Sequence, residues 1–190
     1  MKLKKYFLLA LITLSLTISE SCGVNFKLTL LNSTAVAQTV NNRKAEAGRL
    51  FEQGIKQFHI SQFQQALQSW EQSLAIYREI GNRQGIAASL GSLGNAYRNL
   101  GDYRKAIDYY QQSLLIFKEM GNRSGIASSL GSLGIAYSSL GDYRKAIDYH
   151  QQSLPIFKEM GNRSGIANSL GNLGIAYSSL GDYRKAIDYH

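Results

Sequence analysis

Cysteine occurs once in the 190 residues, at Cys22, and proline once, at Pro155. A single cysteine closes no internal disulfide. If the chain is cut after Ala37 no thiol remains, and it tolerates an oxidising compartment without a crosslink. Histidine occurs three times. His59 is a lone residue, and neither His150 nor His190 has a second ligand at helical spacing, so no metal site is expected. The segment Gly121-Asn122-Arg123-Ser124-Gly125 resembles a phosphate loop only superficially: no strand precedes it, and no Gly-Lys-Thr/Ser follows. No stretch alternates apolar and polar residues as a strand would. Nothing pairs a nucleophile with a base, and the few polar candidates recur in every copy of a repeat, which an active site would not do. The expectation is a chain with no catalytic role and no cofactor.

An apolar run long enough to span a membrane, about 20 residues, is also missing. Lys2, Lys4 and Lys5 precede a shorter apolar run from Tyr6 to Ser19, and Ala35-Val36-Ala37 supplies small residues before Gln38. That is the pattern of a secretory signal over residues 1–37, followed by a polar lead-in over 38–42. Export to the periplasm or the extracellular space is expected, the alternative being an uncleaved N-terminal membrane anchor. Ser19-Glu20-Ser21 before Cys22 argues against a lipid anchor there. The net charge of +8 falls to +5 over residues 38–190, where seventeen basic side chains face twelve acidic ones. Basic residues recur singly beside Asp or Glu. This reads as a solvated helix face rather than a nucleic-acid stripe, with a mild preference for acidic partners.

What the chain has in abundance is itself. Gly121 to His150 returns as Gly161 to His190 with two changes, Ser128 to Asn168 and Ser132 to Asn172, and Gly81 to Tyr110 is a looser copy. A period of 40 residues means a stack of identical units. Each unit reads as two amphipathic helices. In the second, the first helix covers about Gln84 to Arg98, with Leu90, Leu93, Ala96 and Tyr97 at spacings of three and four. Leu100-Gly101-Asp102 ends it, and Asp102 caps the next helix, Tyr103 to about Met120, whose apolar stripe is Ala106, Ile107, Tyr110, Leu114 and Phe117. Asn122 or Ser124 caps the one after. Pro155 falls inside a helix, where about 3 kcal/mol and a kink near Gln151 to Pro155 are expected. Arg104 and Lys105 are expected to pair with Asp108.

Leu90, Leu93, Gly94, Tyr97, Ala106, Tyr110 and Ser113 stand where the tetratricopeptide repeat places its signature residues. Leu130, Leu133, Gly134, Tyr137, Ala146, His150 and Ser153 repeat the pattern, as do Leu170, Leu173, Gly174, Tyr177, Ala186 and His190. The first unit matches at Leu50, Gly54, Ala66, Trp70 and Ser73, but Gln57 replaces the tyrosine. Residues 43–190 thus resemble that family, in repeats of roughly 47–86, 87–126, 127–166 and a truncated 167–190. The period exceeds the family's usual value of about 34. Arg78, Lys118 and Lys158 stand in place of its closing proline. The extra length, ascribed to the second helix, is similar to the variant in Leu-Gly-Asn-repeat adaptors and kinesin light chains, and Leu93-Gly94-Asn95 carries that motif once. The chain also resembles exported repeat proteins of bacteria, cyanobacteria above all.

The resemblance implies an all-α fold, a right-handed α-α superhelix, whose first helices line a concave groove. Phe51, Ile55, Phe58, Asn95, Arg98, Asn99, Ile135, Ser139, Asn168 and Ile175 are then the candidate groove residues. Phe51 and Phe58 equally suit packing against the N-terminal segment. Gly91, Gly131 and Gly171 occupy the place of the family's carboxylate-clamping lysine, so that sub-function is not expected, and these glycines are read as letting helices approach closely. His150 and His190 take the ring position of Trp70 and Tyr110 and are expected to be buried spacers. Tyr97, Tyr137 and Tyr177 are expected in the core. The resulting reading is a scaffold for a protein or peptide partner, with no nucleic acid and no small-molecule substrate. Two alternatives stand beside it. The repeats could be the recruitment arm of a longer protein with a caspase-like peptidase domain, since the array reads as a fragment cut inside its last helix. Otherwise the unfinished helix could dock on the first repeat of a second copy, giving head-to-tail self-association.

Overall fold

The computed structural model describes residues 36–189. Most of the expected export signal, with Cys22, and His190 lie outside the described residues. Contacts divide the chain into residues 1–43 and 44–190. Of the first unit, residues 36–43 are described and are helical, so the polar lead-in expected over 38–42 is itself helical, with Gln38 Nε2 donating to Asn42 Oδ1 at 3.0 Å. No helix of the described residues is long and apolar enough to cross a membrane.

The second unit is the array. Its first helix, α1, is the 44–59 part of a helix running over 36–59. Then follow α2 (Phe63–Glu79), α3 (Arg83–Asn99), α4 (Tyr103–Glu119), α5 (Arg123–Ser139), α6 (Tyr143–Glu159), α7 (Arg163–Ser179) and α8 (Tyr183–Asp188). They stack as a right-handed α-α superhelix, with no strand among the described residues. From α2 to α7 every helix has 17 residues. The second helix of a pair is therefore no longer than the first.

The joints explain this regularity. At Leu100-Gly101-Asp102 the Gly101 N–H donates to Arg98 C=O at 3.1 Å and the Asp102 N–H to Tyr97 C=O at 2.9 Å, with Gly101 left-handed at φ 81°. Asp102 Oδ1 then accepts from the Lys105 N–H at 3.1 Å. Three residues thus satisfy the carbonyls of one helix and a free N–H of the next. The same joint recurs at each left-handed glycine from Gly81 to Gly181, with Asn82, Asn122 and Asn162 capping the alternate helices. Among the described residues, only Ser61, at φ 62°, takes the left-handed position without being glycine.

The core lies between units. One buried cluster joins Ala66, Leu67, Trp70 and Leu74 of α2 to Leu90, Leu93 and Ala96 of α3. The next joins Ala106, Ile107, Tyr110 and Leu114 of α4 to Leu130, Leu133 and Ala136 of α5. A third links Ala146 and Ile147 of α6 to Leu173 and Ala176 of α7. Each buried leucine contributes about 2 kcal/mol. Within a pair the helices cross closely because a glycine faces a ring: a Cβ on Gly94 would sit 2.6 Å from Tyr110 ring carbon, and one on Gly134 2.5 Å from His150 Nε2. Gly131 and Gly171, by contrast, have open space where a Cβ would go. They face the groove, so the close-approach role expected of them belongs to other glycines.

Three further expectations change in detail. α6 runs unbroken through Pro155 from Tyr143 to Glu159, and Pro155 is exposed. Lys105 pairs with the capping Asp102 at 3.2 Å rather than with Asp108, and lies over the Tyr97 ring at 5.0 Å. Tyr97, Tyr137 and Tyr177 are half-buried, stacked on Tyr109, Tyr149 and Tyr189.

Two glycine substitutions should act in opposite directions. Gly94→Ala should lower unfolding free energy by about 2 kcal/mol by overpacking. Gly131→Ala should raise it by about 0.5–1 kcal/mol through helix propensity. Urea denaturation of both variants checks the pair, and equal effects would refute this assignment of the two glycines.

Candidate functional site

Successive first helices touch one another directly, α3 with α5 and α5 with α7, more than the second helices do. The first helices therefore form the inner wall, and their outward residues line a groove. Two recesses open along it. One, of about 320 Å3, is lined by Lys44 and Phe51 of α1, Tyr77 of α2, Asn82 before α3, and Gln84, Gly85 and Ala88 of α3. The other, of about 170 Å3, lies between α5 and α7 over α6, with Ser128, Gly131, Ser132 and Ile135 on one side and Gly165, Asn168, Ser169 and Asn172 on the other. His150 and Phe157 line it from α6.

Of the residues expected in the groove, Phe51 lines the first recess, while Ile135 and Asn168 line the second. Ile55 and Phe58 are half-buried against the core around Trp70. Phe58 stacks at a tilt on Trp70, with ring centroids 5.6 Å apart, and edge-on to Phe63 at 5.3 Å. Phe51 joins that cluster too: its backbone carbonyl accepts from Trp70 Nε1 at 3.0 Å. Asn95 is committed to the fold, its Oδ1 accepting from the Tyr110 hydroxyl at 2.7 Å, while Asn99 Nδ2 donates to the Asn95 carbonyl at 2.8 Å. Arg98 is half-buried, Asn99, Ser139 and Ile175 are exposed, and none of the four lines either recess. Lys44, Tyr77, Gln84, Ser132, Asn172 and the floor role of His150 were not foreseen. A 40-residue period hides them, since each reaches the recess from a neighbouring helix.

The floor changes chemistry from unit to unit. Trp70 fills its place. Tyr110 closes its own through Asn95, and burial pushes its hydroxyl up to about 12, against the Arg98 charge and the Ser132 hydroxyl. His150 has isoleucine, Ile135, where Tyr110 has Asn95. It is 1 % exposed, and neither ring nitrogen has a hydrogen-bond partner. Burial accordingly holds its pKa down, at about 4.

Among the last three copies several of the differences fall in the same place. From Gly121–His150 to Gly161–His190 the two substitutions, at 168 and 172, both line the second recess. From Gly81–Tyr110 to Gly121–His150 they are Gln84, Ala88, Asn95, Arg98, Asn99 and Tyr110. The first two of these line the first recess, and the last is the ring that Gly94 packs against.

A tetratricopeptide repeat profile matches residues 55–119, 86–159 and 125–190, most of the chain. The chain belongs to the tetratricopeptide repeat family. A sequence comparison with curated proteins finds no match. Among solved structures, BtubC from P. vanneervenii is similar at 22 % identity and TM-score 0.70, over 75 % of this chain and 59 % of that one. A Rap protein solved in complex with Competence and Sporulation Factor matches at 22 % identity and TM-score 0.71, over 77 % and 41 %. A Podosopora anserina putative kinesin light chain with nearly identical repeats matches at 20 % and TM-score 0.67, over 77 % and 72 %. At such identities the likeness is one of fold, and this chain spans about half the length of the first of these relatives. Among the described residues of the repeat array, no cluster of His, Cys, Asp and Glu is placed to hold a metal ion.

His150 makes the repeat array acid-sensitive. Its folded pKa is depressed from 6.5 to about 4, so between those values the unfolded chain binds a proton that the folded chain does not. Its contribution is complete above pH 6.5 and fades as pH falls towards 4, up to about 3 kcal/mol. Ile135→Asn with His150→Tyr, which rebuilds the Asn95–Tyr110 pair, should lose less stability between pH 7 and pH 4.5 than the wild type. Urea midpoints at the two pH values measure this, and equal losses would contradict it.

Proposed function

We propose that this chain is a non-catalytic scaffold that holds a peptide segment of a protein partner in the groove of its first helices. The observation that carries this reading is that, among the last three copies, the differences at 84, 88, 168 and 172 line the two recesses and the change from Tyr110 to His150 alters the ring beneath the second, while the outer sides of α4 and α6 are copied except at Leu115 and Pro155. Family membership supports interaction with proteins or peptides as the general role. The Rap structure in complex with Competence and Sporulation Factor gives a precedent for this fold engaging a partner. The groove offers Phe51 beside Ala88 as an apolar anchor site, and smaller polar positions follow towards α7. Excess positive charge favours an acidic partner and faster encounter. Export belongs to the same proposal. N-terminal sequencing of the product from the native host should begin at Gln38, whereas a retained Met1 would point to the membrane-anchored alternative.

A photo-crosslinking residue placed at Ala88, in the groove, should capture the partner in native extracts, whereas the same residue at Leu115, exposed on α4, should not. Phe51→Ala and Arg98→Glu should each weaken capture about tenfold, as expected of an anchor or a charged contact. Equal capture from positions 88 and 115, or unchanged capture in both variants, would sink the groove reading.

A further inference from the structure

The recess between α5 and α7 has a chemistry of its own. Its floor is a neutral imidazole with one donor and one acceptor, both unpartnered, on a side chain 1 % exposed. Leaving two such groups buried and unpaired is unfavourable, and the equivalent Tyr110 avoids it by bonding Asn95. Ile135 removes that partner here. At the rim, the two positions at which the last copies differ both exchange a hydroxyl for a carboxamide, Ser128 to Asn168 and Ser132 to Asn172. Asn172 Nδ2 donates to the Asn168 carbonyl at 2.8 Å, which leaves its Oδ1 as an acceptor. No charged side chain lines the recess.

We propose that this recess is a side-chain pocket for one carboxamide, asparagine or glutamine, of the bound peptide. The inference rests on the groove reading and refines it. A carboxamide carries a donor and an acceptor a bond apart, and so pairs with both kinds of group that His150, Asn168 and Asn172 present. A carboxylate brings only acceptors and a charge with no cation to meet it, and an ammonium brings the converse problem. An aliphatic side chain would seal the recess with both imidazole nitrogens still unpaired. A cavity of about 170 Å3 holds a single side chain of this size.

The test is panning of the full chain against a displayed library of random dodecapeptides, followed by affinities of the enriched peptides. The expected result is a consensus with Asn or Gln at one fixed position, whose replacement by Ala weakens binding about tenfold, the loss of one to two hydrogen bonds. In the variant Asn168→Ser/Asn172→Ser, whose recess rim takes the residues of the preceding copy, that preference should shrink several-fold while binding persists. His150→Phe should abolish it. Peptide addition should also shift the His150 ring nitrogen resonances in the wild type. A consensus with an acidic, basic or aliphatic residue at that position overturns the pocket and leaves the groove standing. So does a carboxamide preference that neither variant alters. Enrichment of nothing at all overturns both.

Discussion

The contact on which the array depends is a first-helix glycine laid against a second-helix ring. Gly54 meets Trp70, Gly94 meets Tyr110 and Gly134 meets His150, each closer than any Cβ would permit. That crossing lets alanine and serine fill the interface. The Ser73 hydroxyl reaches the Ala47 carbonyl at 2.8 Å, and the Ser113 hydroxyl reaches the Ala87 carbonyl at 2.9 Å. At His150 the same ring lines the second recess from beneath. One position therefore sets both the packing of a helix pair and the floor of the groove above it. Tryptophan, tyrosine and histidine all keep the crossing, because each is a flat ring, while offering the groove different hydrogen-bonding groups.

Because three of the four buried clusters among the described residues join the second helix of one unit to the first helix of the next, most of the core is shared between pairs, and the small cluster of Ala47, Leu50 and Ile76 in the first pair is the exception. Stability is then a sum over neighbours, and a local change is felt one unit away at most. The exposed ion pairs that join the two helices of one unit, Arg83 with Glu119 and Arg123 with Glu159, add little by comparison, since both partners are about half or more exposed. What keeps the units in register is the joint. A glycine or, at Ser61, a strained serine every 20 residues fixes each helix at the same length, so identical faces meet at every step.

Most of this was legible in the sequence because its causes are local. Leu90 and Leu93 announce a buried face by spacing, and Gly101-Asp102 announces a joint by chemistry; the helix ends fall within a residue or so of where those signals place them. The reading failed where a side chain had two available partners in space and spacing could not choose. Lys105 lies one turn from both Asp102 and Asp108, and the cap geometry decides for Asp102. Gly91 and Gly94 both sit on α3 one turn apart, yet only Gly94 faces the ring of α4. Asn95 looked like a free groove residue, but a tyrosine 15 positions later claims it. The export signal is a matter of residues outside the described structure.

Divergence between the copies admits two causes, since groove positions are lightly packed and tolerate change. The first copy differs on its outer side as well, with Gln65, Gln68, Glu71 and Arg78 where Lys105, Asp108, Gln111 and Lys118 follow, but among the later copies tolerance alone has a consequence that is not met. The outer sides of α4 and α6 are as exposed as the groove: Lys105, Asp108, Gln111, Gln112 and Lys118 are all solvent-facing. Each recurs unchanged as Lys145, Asp148, Gln151, Gln152 and Lys158, the exception being Leu115 against Pro155. Drift would have marked both surfaces alike. Change gathered instead along one face, and at the last copy it fell twice on the rim of the recess whose floor lacks a hydrogen-bond partner. Among the later copies the surface thus varies along the first helices and is copied along the outer side of the second, which is the asymmetry that the proposed groove reading rests on.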